Sequence, residues 1–129
     1  MSFDVHILAR TIYGEARGEG REGQVAVGNV IMNRMKDRRW PKTVAAVCLE
    51  PYQFSCWLAR DPNRAKIIAV SDDDLAPFYS LATRIMAGLD EDPTHGSNHY
   101  HAANLKPPPS WADADKGTVR IGSHLFFKL

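Results

Sequence analysis

The run from Glu22 to Lys36, reading Glu-Gly-Gln-Val-Ala-Val-Gly-Asn-Val-Ile-Met-Asn-Arg-Met-Lys, constrains this chain more than any other stretch. Val25, Val27, Val30, Ile31, Met32 and Met35 cover most of the circumference of a helix, and a helix that is apolar nearly all round has to be buried. The rest of the chain must therefore pack around it. Gly28 is costly in a helix and Ala26 leaves its surface bare, so another element is expected to cross closely there. Asn29 and Asn33 share one face with Glu22; as buried polar groups they need partners, and holding neighbouring loops is expected ahead of lining a cleft.

The block before this helix carries a carboxylate among glycines: Tyr13-Gly14-Glu15-Ala16-Arg17-Gly18-Glu19-Gly20. Without a Cβ in the way, backbone and ligand can come close. A carboxyl held against an apolar helix has its pKa raised by desolvation, which suits a general acid. A Gly-rich turn with a solvated Glu is the plainer alternative. Ser2 or Asp4 can cap a first helix with the stripe Val5, Leu8, Ala9, Ile12 and Ala16, ended by Gly18. Glu15 then falls in the last turn, where the negative helix end also disfavours a carboxylate. Arg17 opposes that effect if it points at Glu15.

Trp40-Pro41 is expected to end the central helix, and Thr43 to cap a short one through Leu49, broken at Glu50-Pro51. Pro51 to Trp57 is strongly aromatic. Phe54 and Trp57 can pin it into the core; equally, Gln53 and Ser55 can hydrogen-bond sugar hydroxyls and amides while an aromatic face, Phe54 the candidate, packs on a pyranose ring. Asp61-Pro62 has the order of a helix start, with 65–70 helical or extended. A clearer helix begins at Asp74 as cap, with Pro77 in its third position, the stripe Leu75, Phe78, Tyr79, Ala82, Ile85, Met86 and Leu89, and Gly88 as terminator. Asp72, Asp73 and Asp74 match its positive end and make no metal site. The period then changes to two: Ser97 to Ala103 and Thr118 to Phe127 are strand candidates, separated by a stiff Pro107-Pro108-Pro109-Ser110 loop anchored by Trp111. Trp57 and Trp111 are expected to be buried anchors and Trp40 more exposed. The outline is α+β and mainly helical: a lysozyme-like helical domain with a small antiparallel β-sheet near the C-terminus.

The 129 residues are expected to form one domain, 1–129, without staples. A formal net charge of +1 argues against nucleic acid as a partner. The cluster Arg34, Lys36, Arg38, Arg39 and Lys42 reads as a solvated helix end. No run approaches the ~20 apolar residues of a membrane span, so no membrane insertion is expected, and the chain is taken as a monomer. Met1 to His6 lacks the charged flank and apolar stretch of a secretory signal. Cys48 and Cys56 are expected to be free, buried thiols.

Taken together, Tyr13 to Glu19, Gly23-Gln24-Val25-Ala26-Val27, Asn33-Arg34, Gln53-Phe54-Ser55-Cys56-Trp57, His99-Tyr100-His101-Ala102, Pro109-Ser110-Trp111 and Ile121-Gly122-Ser123-His124-Leu125-Phe126-Phe127 resemble, in order, the signature of the SleB-type cell wall hydrolases, the spore cortex-lytic enzymes and their phage and proteobacterial relatives. The resemblance implies cleavage of peptidoglycan glycan strands with Glu15 as the catalytic acid, without a cofactor. It also implies a sugar cleft that includes the His99-Tyr100-His101 block. Asn98, where an apolar or Thr residue is usual, and the lengthened proline loop depart from the family pattern. A wall substrate and the missing leader are reconciled by a phage endolysin, made in the cytoplasm and released by a separate pore, or by a trimmed leader; the first is the expectation.

Several chemistries stay open. A hydrolytic muramidase needs two carboxyls flanking the bond, and Glu19 is the nearest second one. A lytic transglycosylase needs one, because the muramoyl C6 hydroxyl attacks internally; this is the favoured expectation. Tyr100, Gln53 and His124 are then candidates to orient substrate. His99 and His101 share a strand face, with His95 and His124 possible neighbours, which invites a zinc peptidase or amidase acting on peptide stems, although HExxH is absent. A non-catalytic wall-binding module is the remaining class.

Overall fold

The computed structural model describes residues 2–51 and 53–129; Met1, and Tyr52 of the aromatic segment, lie outside the described residues. In chain order the elements are α1 (Phe3–Ala16), α2 (Arg21–Lys36), α3 (Val44–Leu49), α4 (Pro62–Ala69), α5 (Asp72–Met86), β1 (His99–Ala102), β2 (Gly117–Ile121) and β3 (His124–Phe127), with short 3₁₀ turns at Ser55–Trp57 and Ala114–Lys116. The expected α+β, mainly helical architecture is the one observed.

Local capping chemistry sets most boundaries. Ser2 accepts from Val5 N–H, Thr43 from Ala46 N–H and Asp61 from Asn63 N–H, with Pro62 opening α4. The segment left undecided at 65–70 is thus helical through Ala69. α5 corrects the expectation: Ser71, not Asp74, is its cap, accepting from Asp74 N–H at 3.1 Å. The helix starts earlier and Pro77 lies inside it, in the second turn. Gly88 ends α5 in the left-handed region at φ 70°, which swings Leu89 out of the stripe to 63% exposure. α2 ends at Lys36, well before Trp40-Pro41, where Asp37 turns extended.

α2 is the core helix, with Val25, Val27, Val30 and Ile31 essentially inaccessible. A Cβ on Gly28 would stand 2.6 Å from Ile85 Cδ1, so α5 is the close-crossing element the glycine permits. Ala26 and Val30 face the other way, onto Ile121 and Phe126 of the sheet. α2 therefore joins a helical core to a smaller sheet core. Asn33 holds a loop as expected, donating to Asp92 Oδ2 and Ser97 O, both at 2.9 Å. Asn29 does not; it donates back to Val25 O in its own helix.

The sheet is antiparallel in the order β1-β3-β2. The long second strand candidate is a hairpin, folded at Gly122-Ser123. Alternation puts Tyr100 and Phe126 on the face toward α2, together with His124, and puts His99, His101 and Phe127 on the outer face against Trp111. Trp57 and Trp111 are half-buried rather than buried, no different in class from Trp40. Trp57 is fixed by its indole N–H, which donates to Thr11 Oγ1 at 2.9 Å, and so keeps one edge outward.

Candidate active site

Glu15 occupies the last turn of α1, half-buried where that helix stops at Ala16. The Tyr100 hydroxyl, from β1, donates to Glu15 Oε1 at 2.6 Å. Burial and the Glu15 carboxylate push the Tyr100 phenol well above its ordinary range, which keeps it a donor. Arg17 does not point at Glu15. Its guanidinium turns back to Tyr13 O at 3.1 Å and out to Asn63 Oδ1 at 2.6 Å, serving the open carbonyls of the helix end. Behind Glu15 lies Cys56, whose thiol is pushed up by burial and then by the Glu15 charge. Gly14 has its place through this wall and not through a ligand: a Cβ there would meet Cys56 Cβ at 2.8 Å and Ile67 Cγ2 at 2.9 Å. Gly18 and Gly20 face open space.

Glu19 lies beyond the end of α1 and has a different task. Its Oε1 accepts from Ser123 N–H at 2.9 Å and its Oε2 from Ser123 Oγ–H at 2.8 Å. His124 Nδ1 stands 3.3 Å from Oε1 without hydrogen-bond geometry. The Ser123 backbone bond, opposed by desolvation and helped by the Ser123 hydroxyl and His124, holds the Glu19 carboxyl below its usual value. Gly122 makes this clamp possible: it is left-handed at φ 56°, and a Cβ there would fall 2.5 Å from Glu19 Oε1. The hairpin tip is thereby fastened to the α1–α2 loop. His124 packs edge-on against Tyr100, ring centroids 5.0 Å apart, which joins the clamp to the Glu15–Tyr100 pair.

The structure brings together Glu15, Tyr100, His124 and Glu19, and turns His99, His101 and Phe54 away from them. His99 and His101 lie on the opposite sheet face from Tyr100. His101 is 8% exposed, with Nδ1 2.8 Å from Ala102 O and its ring stacked on Phe127, so its place is in the packing of the outer face. His99 sits between Trp40 and Trp111, its pKa lowered to about 4 by burial and then by Arg34 and Arg39. Phe54 is 3% exposed and packs in the helical core, which corrects its assignment as a sugar platform; Gln53 and Ser55 beside it are exposed. The histidines weighed for a zinc site are divided between the two faces, and His95 belongs to the loop beside a depression of about 600 Å³ lined by Arg21, Glu22 and Asp90. Among the described residues no group of His, Cys, Asp or Glu is placed to hold a metal ion. Cys48 and Cys56 are both free and buried.

Sequence reasoning missed two residues. Ser123 holds Glu19, a pairing across 104 residues that no local pattern announces. Arg34, expected at a solvated helix end, is only 6% exposed. Its neighbour Asn33 on the polar face of α2 was the available signal.

The family model described as Cell Wall Hydrolase matches residues 18–127. The chain is 32% identical over 126 residues to the spore cortex-lytic enzyme of Bacillus subtilis, covering 95% of this chain and 37% of that protein. With the spore cortex-lytic enzyme of Oceanobacillus iheyensis the identity is 44% over 127 residues, covering 97% of this chain and 41% of that one. The chain thus spans well under half the length of these relatives. The solved catalytic domain of the germination-specific lytic transglycosylase SleB from Bacillus anthracis superposes with a TM-score of 0.77 at 29% identity, over 99% of this chain and 97% of that one.

Proposed function

This chain belongs to the cell wall hydrolase family, and from that premise we propose that it cleaves peptidoglycan glycan strands between N-acetylmuramic acid and N-acetylglucosamine as a lytic transglycosylase, with Glu15 as the single catalytic carboxyl. The observation that carries the reading is the division of labour between the two glutamates. Glu15 Oε1 accepts from the Tyr100 hydroxyl, and the Cys56 thiol lies against the same carboxyl. Glu19 has both oxygens engaged by Ser123 and a lowered proton affinity. A carboxylate so occupied is a poor second member of a hydrolytic pair.

With one carboxyl the chemistry closes on the substrate itself. Protonated Glu15 gives its proton to the glycosidic oxygen as the bond to the muramoyl C1 breaks. The carboxylate then accepts the proton of the muramoyl C6 hydroxyl as that oxygen bonds to C1. The product end is 1,6-anhydromuramoyl, Glu15 is reprotonated, and no water is consumed. Internal attack benefits from high effective molarity. Tyr100 orients the carboxyl so that one oxygen faces the reacting atoms. The names of the relatives, spore cortex-lytic enzyme and lytic transglycosylase, support the same substrate and reaction class. Among the described residues no helix is long and apolar enough to cross a membrane.

Mass spectrometry of fragments released from purified peptidoglycan tests the reading. Anhydro ends, roughly 18 Da lighter than reducing ends by loss of water, are expected, and Glu15→Gln is expected to cut their release by on the order of 10²-fold or more. Reducing ends alone would replace internal attack by hydrolysis, and a fully active Glu15→Gln would remove Glu15 from the chemistry.

A further inference from the structure

Arg34 lies in the last turn of α2 and is almost fully buried. Its Nε donates to Asn98 O at 2.7 Å and its Nη1 to Gln53 Oε1 at 3.1 Å. The guanidinium carbon sits 5.3 Å from the Trp40 ring centroid and 5.4 Å from that of Phe54, so the fork is held by aromatic rings as well as by its bonds. A guanidinium donates at every nitrogen and accepts at none. Only the carbonyl end of the Gln53 carboxamide can therefore meet it. The NH₂ end is turned the other way, with no hydrogen-bond partner among the described residues. Gln53 is exposed, while Phe54 and Cys56 after it are turned inward and Cys56 lies against Glu15. Three residues of chain span at most about 11 Å, which keeps Gln53 within reach of a sugar bound at Glu15.

We propose that Arg34 fixes Gln53 as an obligate hydrogen-bond donor in the glycan cleft, and that Gln53 reads the acetamido carbonyl oxygen of an N-acetylated sugar beside the scissile bond. The inference rests on the glycan-cleaving reading of the Glu15 site. A sugar hydroxyl both donates and accepts, so it would pair with a carboxamide in either orientation and needs no lock. The acetamido carbonyl is acceptor-only, and a locked donor suits it. De-N-acetylation replaces that acceptor by an amine that donates, which then faces another donor. Arg34 is a positioning residue here; Gln53 makes the contact.

Peptide-free glycan strands, fully acetylated or de-N-acetylated, are titrated calorimetrically into the Glu15→Gln protein. Acetylated strands are expected to bind about tenfold tighter, the worth of one hydrogen bond exchanged for a donor–donor contact. Gln53→Glu keeps the Arg34 contact but presents only acceptors, and the preference should reverse toward de-N-acetylated strands. Gln53→Met, with neither donor nor acceptor, should abolish it and serves in place of Gln53→Glu if that variant fails to melt cooperatively. In folded protein, Arg34→Gln frees the carboxamide to rotate and should narrow the ratio, whereas loss of a merely structural arginine weakens both ligands alike. No preference in the Glu15→Gln protein, or a preference untouched by the Gln53 variants, overturns the proposal. If wild-type protein cleaves neither strand while the binding preference still reverses, the cleavage reading falls and the Gln53 assignment stands. If it cleaves with an unaltered preference, the assignment falls and the cleavage reading stands.

Discussion

Glu19→Gln separates one-carboxyl from two-carboxyl chemistry, and the structure says what it should cost. Glu19 accepts two hydrogen bonds from Ser123, one from the backbone and one from the hydroxyl, as a charged acceptor. Hydrogen bonds to charged groups contribute about 1.5–3 kcal/mol each and neutral ones about 0.5–1.5. An amide in the same place keeps an acceptor for the Ser123 N–H and offers a donor to Ser123 Oγ, so both contacts survive without charge assistance. Like ends subtracted, the two bonds lose about 2–3 kcal/mol, and their exposure to solvent discounts this to about 1–3 kcal/mol. For a chain of 129 residues the entropy of unfolding is roughly 0.27 kcal/mol/K, so each kcal/mol lowers Tm by about 4 °C and the variant should melt about 4–11 °C below wild type. Cleavage assayed well below that Tm should fall less than tenfold, with anhydro ends unchanged. There is a pH signature as well. The Glu19 carboxyl is held below its ordinary value first by the Ser123 backbone bond. Its contribution is complete above the unfolded value of about 4.3 and is lost as pH falls through the lower folded one. Wild type should therefore lose its stability margin over Glu19→Gln on acidification. A variant that melts like wild type but loses 10²-fold or more in cleavage would refute the clamp and restore Glu19 as a reacting carboxyl.

Tyr100→Phe removes the hydroxyl that donates to Glu15 Oε1 and should cut cleavage about tenfold or more while leaving the fold intact, as followed by product release and thermal melting; unchanged cleavage would show that the bond does not orient the carboxyl. His99, with its pKa lowered to about 4, binds its proton less readily folded than unfolded, so stability should fall as pH drops from about 6.5 toward 4, and NMR titration should place its midpoint below 5. Cys48, pushed up to about 12 by burial, and Cys56, pushed up by burial and Glu15, should resist thiol reagents in the native protein and react in denaturant; rapid native labelling of both would contradict their burial.

Much of this molecule is legible without coordinates because it depends on neighbours in the chain. The apolar circumference of α2 demanded burial. Ser2, Thr43 and Asp61 announced helix starts, and Glu15 falls at a helix end as expected, although Gly18 behind it does not take the left-handed conformation of a terminator. These are interactions over three or four residues, where spacing and propensity carry the information. Ser71 was overlooked because the acidic run behind it also supplies capping side chains, and only the actual geometry chooses among them. The site was read less well, since its bonds join distant parts of the chain: Tyr100 to Glu15 across 85 residues and Ser123 to Glu19 across 104. Period-two alternation already placed Tyr100 opposite His99 and His101, but which face meets α1 follows from how β1 docks on α2. Likewise Gln53 and Phe54 share a motif, yet one faces solvent and the other the core. Arg34 touches both, and its own burial depends on helices, strand and loop closing around it together. Local sequence could name the chemistry-bearing residues; only packing decided which of them face the same space.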